Sequence, residues 1–193
     1  MLVAQAAQAV ERYTGEVIGM DRIADVTERL SATEQSIALI GMPGCGKTQV
    51  GEALAAMLGR EHVDIDRELE LELGMSCADF ILAEGEEAFR DREAEVLGRV
   101  AARSGLVISC GGGVVERAEN RDLVRQNCMV VHIDRPLDEL AVDGRPISER
   151  DGIKAIAARR APLYDAWADM TVSSRESAEA TARAIRDTLP AML

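Results

Sequence analysis

No apolar run in this chain approaches the roughly 18 residues that a membrane span requires, and the N-terminus lacks the basic start of a signal peptide; a cytoplasmic protein is expected. None of the four cysteines, Cys45, Cys77, Cys110 and Cys128, forms a C-x-x-C pair, so neither a zinc site nor a disulfide framework is suggested and all four read as reduced thiols. Positive charge is scarce. With 22 Lys and Arg against 34 Asp and Glu, the formal charge of -12 repels nucleic acid and anionic membrane from most of the surface. An anionic ligand must therefore be held by a local group of basic side chains. Internal repeats and low-complexity tracts are also missing.

What is present is an ordinary globular composition, 47% hydrophobic and 29% charged over 193 residues, enough to bury one substantial core in one main domain. Short β-branched runs at 36–40, 62–65, 106–110, 129–133 and 170–172 alternate with longer segments of helical period, the pattern of a five-stranded parallel sheet with helices on its faces. The segment 87–102 is one such helix, with Phe89, Ala94, Val96, Leu97 and Val100 on its apolar side. Residues 1–34 differ: two helical patterns, 1–13 and 21–30, precede the first strand.

Gly41-Met42-Pro43-Gly44-Cys45-Gly46-Lys47-Thr48 fits G-x-x-x-x-G-K-[ST] between the first strand and a helical stretch, 47–58, that carries Gln49 in its first turn. Glycines let successive N–H groups turn inward onto phosphate oxygens, and the helix N-terminus adds its positive end. Lys47 is suited to the outer phosphates of ATP and the Thr48 hydroxyl to Mg2+. Cys45 lies in an electropositive setting that would lower its pKa and make it the most reactive of the four thiols; the alternative is a thiol turned into the core.

Asp64 and Asp66 end the second strand in HVDIDRELE, where alternation would put both carboxylates on one face at the sheet's carboxyl edge. One acid could hold hydrated magnesium and the other a substrate hydroxyl. The plainer alternative makes Asp66 the N-cap of RELELEL, with Asp64 in a loop.

Downstream follow AFRDRE, GGGVV and RRAPLYDAWAD. The phosphate loop, D-x-D, F-R-x-x-E, G-G-G and R-x-P-L-Y-x-x-x-A-D, in this order, resemble shikimate kinases over residues 35–193. The resemblance implies a three-layer α/β P-loop kinase fold with a mobile lid near 143–152, hinged at Gly144 and Gly152. It implies Mg-dependent transfer of the ATP γ-phosphoryl group to the 3-hydroxyl of shikimate. By the same resemblance Arg90 and Arg160 grip the substrate carboxylate, and Gly111, Gly112 and Gly113 lie against the substrate. Asp66 meets the substrate hydroxyl, Asp64 reaches magnesium through water, and Arg145 folds over the phosphates from the lid. Arg159 receives no role. On its own, Arg90 would read as a surface arginine paired with Glu87 or Glu93.

The chain departs from the family before Arg145, where DRPLDELAVDG is several residues short and no arginine stands on the adenine side. A quinate or gluconate kinase and a non-catalytic nucleotide-binding module are the rival readings. MLVAQAAQAVERYTG also resembles the closing helix of shikimate dehydrogenases, which implies a fused or associated dehydrogenase; a plain N-terminal helix is the alternative.

Overall fold

A computed structural model describes residues 2–140 and 152–189. Two compact units make up the chain, one built on the first 35 residues and one spanning Ser36–Thr188. In the first, α1 (Leu2–Thr14) and α2 (Met20–Glu34) are joined by a turn at Gly15. Glu11 braces that turn, its carbonyl accepting the Gly15 N–H at 2.9 Å and its carboxylate the Ile18 N–H at 2.7 Å.

The second unit carries a five-stranded parallel sheet in the order β2-β3-β1-β4-β5. Its strands are β1 (Ser36–Ile40), β2 (Glu61–Asp64), β3 (Leu106–Ser109), β4 (Cys128–Asp134) and β5 (Met170–Ser173), each end within one residue of the sequence expectation. β1 is buried along its whole length, and Ala38 lies in register with Ile108 on one side and Val130 on the other. That position explains a strand apolar at four successive residues, since a central parallel strand has no wet face. Its one polar residue, Ser36, is fully satisfied: its hydroxyl donates to the Arg103 carbonyl at 3.0 Å and accepts the Leu106 N–H at 3.1 Å.

Crossovers are supplied by α3 (Lys47–Leu58), α4 (Ile65–Leu73), α5 (Cys77–Glu84), α6 (Glu86–Ala101), α7 (Ala118–Arg125) and α8 (Ile153–Trp167), and α9 (Ala178–Thr188) follows the last strand. α3 packs beside α9, while α6 packs against α4, α5 and α7. On α6 the buried face is Phe89, Val96, Leu97 and Val100 together with Arg90 and Glu93. Leu97 is fully buried, so its replacement by Ala would cost about 2–5 kcal/mol. α8 buries Ile156, Arg160, Tyr164 and Trp167, three or four residues apart on one stripe, and turns Pro162 to solvent, where a missing N–H and a bulky ring are best tolerated.

The strand order sets the site. The chain leaves β1 for β2 and β3 on one side, then crosses to β4 and β5 on the other, so the crevice opens at the carboxyl end of β1.

Candidate active site

The phosphate loop leaves β1 at that point. At Gly41 an added Cβ would fall 2.6 Å from the Ile133 carbonyl of β4, and Gly46, the residue before α3, has φ 92°, so both positions need glycine. Lys47 opens α3 and curls back over the loop, donating to the carbonyls of Gly41 and Met42, each at 3.0 Å. From the core side Ser109 holds this lysine's carbonyl at 2.9 Å and meets His62 Nε2 at 2.9 Å. The next residue, Thr48, donates its hydroxyl to Asp64 Oδ2 at 2.6 Å.

Two sequence expectations change here. β2 ends at Asp64, not at residue 65, and it is Asp64 that caps α4, its Oδ1 accepting the N–H groups of Asp66 at 3.0 Å and Arg67 at 3.3 Å. Asp66 thus stands in the first helical turn and is not the cap. The acids differ because a carboxylate just before a helix meets orphan N–H groups, whereas one in the first turn points outward. Cys45 is the second change: at 1% exposure it lies in the core, 3.8 Å from Lys47 Nζ, so the thiol is not presented to solvent.

Asp66 keeps surface open to water, yet protein atoms crowd it as at the floor of a cleft, and burial pushes its pKa up to about 6. The Glu93 and Asp64 charges add to that rise, while Lys47 and Arg90 oppose it. An acid with this pKa changes charge just below neutrality, a range suited to acid–base chemistry near neutral pH.

Beside the triple glycine α6 presents Arg90, 8% exposed, with Nη1 on Glu93 Oε2 at 2.7 Å and Nη2 3.5 Å from both Glu86 and Glu116. Burial works against its charge, but Glu93, Glu116 and Glu86 together more than offset that and raise its pKa. The i, i+3 pairing with Glu93 does exist, buried and not on the surface. Gly111, Gly112 and Gly113 thread between these groups. A Cβ at Gly113 would overlap the Arg90 guanidinium, and one at Gly111 would overlap the Glu93 carboxylate and sit 2.9 Å from Asp66 Oδ1. At Gly112 it would sit 2.7 Å from Pro43 Cγ, so the triple glycine also packs on the phosphate loop and joins the two halves of the site.

α8 closes the arrangement. Arg160, 1% exposed, donates from Nη2 to Glu116 Oε2 at 2.6 Å, and Arg159 donates from Nε to Glu116 Oε1 at 2.7 Å. Tyr164 donates to the Gly112 carbonyl at 2.6 Å and stacks on His132 with centroids 5.0 Å apart; burial raises the phenol's pKa and lowers that of the histidine. The structure therefore brings Lys47, Thr48, Asp64, Asp66, Arg90, the triple glycine and Arg160 to one cleft. Met42, Pro43, Gly44 and Gln49 stand with the loop and the start of α3. Arg145, Gly144 and the expected lid up to residue 151 lie outside the described residues; Gly152 precedes α8 with φ 77°. Sequence reasoning assigned no role to Ser109, Glu116, His132 or Tyr164, and saw Glu93 only as a surface partner for Arg90. Tyr164 was visible only as a letter in a motif, and Glu116 had no signal beyond following the glycines.

A family model described as shikimate kinase matches residues 43–190. A shikimate kinase from Symbiobacterium thermophilum is 42% identical over 140 residues, 67% of this chain and 80% of that protein. Another from Bordetella avium is 36% identical over 147 residues, 72% of this chain and 70% of that protein. Among solved structures, a shikimate kinase from Acinetobacter baumannii in complex with shikimate superposes with a TM-score of 0.77 at 31% identity, covering 84% of this chain and 99% of that one.

Proposed function

The chain belongs to the shikimate kinase family, with that family's P-loop kinase fold, and on this premise we propose how its residues perform the family's reaction. The protein transfers the γ-phosphoryl group of ATP to the 3-hydroxyl of shikimate, giving shikimate 3-phosphate and ADP, a step of aromatic biosynthesis. The observation that carries the assignment of roles is a convergence: Arg90 and Arg160 both reach Glu116, next to the glycines that touch Asp66 and the phosphate loop.

In this reading the N–H groups of residues 41–48 and the start of α3 hold the phosphates, with Gln49 at their edge. Lys47 exchanges its bonds to the Gly41 and Met42 carbonyls for the outer phosphate oxygens, which carry more negative charge. Arg90 and Arg160 fix the acceptor's carboxylate, for which a planar guanidinium has the right spacing of donors. Asp66 accepts the hydrogen bond of the attacking hydroxyl and orients it; a loose transition state asks little more of a base. Gly111, Gly112 and Gly113 let the acceptor ring approach backbone. Arg145 is the proposed lid arginine, delivering charge to the transferred group as the segment 143–152 closes and excludes water.

Mg2+ fits the oxygen donors at Thr48 and Asp64, which meet at 2.6 Å, and among the described residues no cluster of three acidic, histidine or cysteine side chains offers a rival cage. When bound, the ion would neutralise charge on the outer phosphates. A cytoplasmic location is proposed; among the described residues no helix is long and apolar enough to cross a membrane. The M-L-V-x-Q-x-A run further supports a fused or associated shikimate dehydrogenase as the source of residues 1–34.

A coupled ADP-release assay with shikimate, quinate and gluconate side by side tests the reading. Turnover with shikimate far above the other two is expected; preference for quinate would move the acceptor, and nucleotide binding without turnover on any of the three would sink the activity.

A further inference from the structure

We propose that Glu116 is an exchangeable stand-in for the acceptor's carboxylate, holding the two arginines until shikimate displaces it. The inference rests on the reading of Arg90 and Arg160 as the carboxylate grip. A single oxygen carries it: Glu116 Oε2 lies 2.6 Å from Arg160 Nη2 and 3.5 Å from Arg90 Nη2, between the two groups that an acceptor carboxylate would have to bridge.

The neighbouring acid cannot do the same. Glu93 is wholly buried on α6 and bound to Arg90 Nη1, so it can leave only by breaking a buried pair. Glu116 ends a short 3-10 turn, Val114–Glu116, and its side chain is 19% exposed. Arg159, with a side chain 48% exposed, reaches the outer oxygen Oε1 at 2.7 Å. As the inner oxygen gives way to the incoming carboxylate, Arg159 retains Glu116 at the rim, so the acid swings aside without losing every partner. The Nε of Arg160 is buried without a hydrogen-bond partner, so this guanidinium is not saturated by Glu116. Burial opposes ionisation of Glu116, but Arg160 and Arg159 hold its pKa below the ordinary value, so the stand-in is charged at neutral pH.

The exchange has a thermodynamic signature. Because Glu116 holds Arg90 and Arg160 only in the ligand-free protein while its bond to Arg159 persists in both states, removing its carboxylate weakens the ligand-free state more, and shikimate affinity rises by the factor that separates the two. A hydrogen bond between charged groups corresponds to about tenfold or more in an equilibrium. Calorimetric titration with shikimate, without nucleotide, should give Glu116→Ala a Kd about tenfold below wild type and Glu116→Gln a smaller gain. In thermal melts both variants should lose Tm without shikimate and show a larger rise on adding it. Should Glu116→Ala fold poorly, Glu116→Gln decides. Equal or weaker binding by the variants, with wild type binding normally, overturns the stand-in and makes Glu116 an anchor. Failure of wild type to bind shikimate overturns both this inference and the acceptor reading.

Discussion

The two halves of the cleft are built on opposite plans. The phosphate half is eight consecutive residues, and most of what it offers is backbone: glycines that turn, N–H groups, one lysine and one hydroxyl. The acceptor half is assembled from α4, α6, the glycines after β3 and α8, and works through side chains, with Arg90, Glu93, Glu116 and Arg160 bonded to one another in a partly buried network. A contiguous loop needs only a strand before it and a helix after it. The assembled half needs the sheet order, because β2 must pair with β3 before Asp66 and Gly111 can meet, and β3 with β1 before the glycines reach the phosphate loop. Damage to the first should therefore cost chemistry while sparing the fold, and damage to the second should cost both.

The largest effect comes from the phosphate half. Lys47→Ala should lower kcat/KM for shikimate by roughly 100-fold or more, the loss typical of a charge aimed at a developing anion, with circular dichroism close to wild type. A variant retaining more than about a tenth of the wild-type rate would contradict the role. The acceptor half comes next. Arg90→Lys keeps the charge but loses the planar fork, so the shikimate Kd should rise about tenfold or more while that of ATP stays close to wild type. Because the same arginine compensates the fully buried Glu93, Tm should fall as well, which Lys47→Ala would not match. Equal weakening of both ligands by Arg90→Lys would erase the distinction between the halves.

How much was legible in sequence follows the same division. The loop, its strand and its helix were readable because period, glycine spacing and the G-K-T triplet are all local, and the boundaries 36–40 and 47–58 came out unchanged. Arg90 and Arg160 were nameable only through resemblance; period alone would have left Arg90 on the surface. Asp64 and Asp66 were recognised as a pair, but the alternative that made one of them a helix cap chose Asp66 where the structure has Asp64, since one residue's difference in where β2 ends decides which carboxylate meets the free N–H groups. Glu116 was invisible because its role depends on Arg159 and Arg160, more than forty positions away. For Cys45 the sequence left a reactive loop thiol and a thiol turned into the core both open, and the structure shows the second, because a side chain's direction inside a glycine loop is set by packing and not by neighbours in sequence.

Asp66 stands at the seam, and its titration separates the halves by pH. Its pKa near 6 predicts that kcat/KM, which reports the free enzyme, falls by about tenfold per unit below pH 6. Its effect on stability has the opposite sign. Folding raises this carboxyl's pKa from 3.8, so its contribution is most favourable below pH 3.8, is lost as pH rises to about 6, and remains a cost at neutral pH. The full shift would correspond to roughly 3 kcal/mol; with the side chain open to water, screening leaves about 1 kcal/mol. Asp66→Asn should thus raise Tm by about 2–4 °C at pH 7.5, with the gain vanishing near pH 4. A lower Tm at pH 7.5 would mean that the carboxylate is held favourably and is not strained by its surroundings.

The smallest effect places one thiol in each half. Cys45 of the loop is 1% exposed, and Cys110 and Cys128 are also buried, whereas Cys77 at the start of α5 is partly open and its thiol contacts the Asp66 carbonyl at 3.5 Å. Burial pushes the Cys77 pKa up to about 12, and the nearby acids, Asp66 foremost, push the same way, so its thiolate is scarce at neutral pH. Limited iodoacetamide treatment at pH 8 followed by peptide mapping should therefore find slow labelling overall, at Cys77 before the other three, and with little protection by Mg-ATP. Asp66→Asn removes one of the charges that suppress the Cys77 thiolate and should speed its labelling by less than about tenfold, while leaving Cys45 unreactive. Faster labelling of Cys45 than of Cys77, suppressed by Mg-ATP, would mean that the loop opens in solution far enough to turn its thiol outward, and the phosphate half would then be the less rigid of the two.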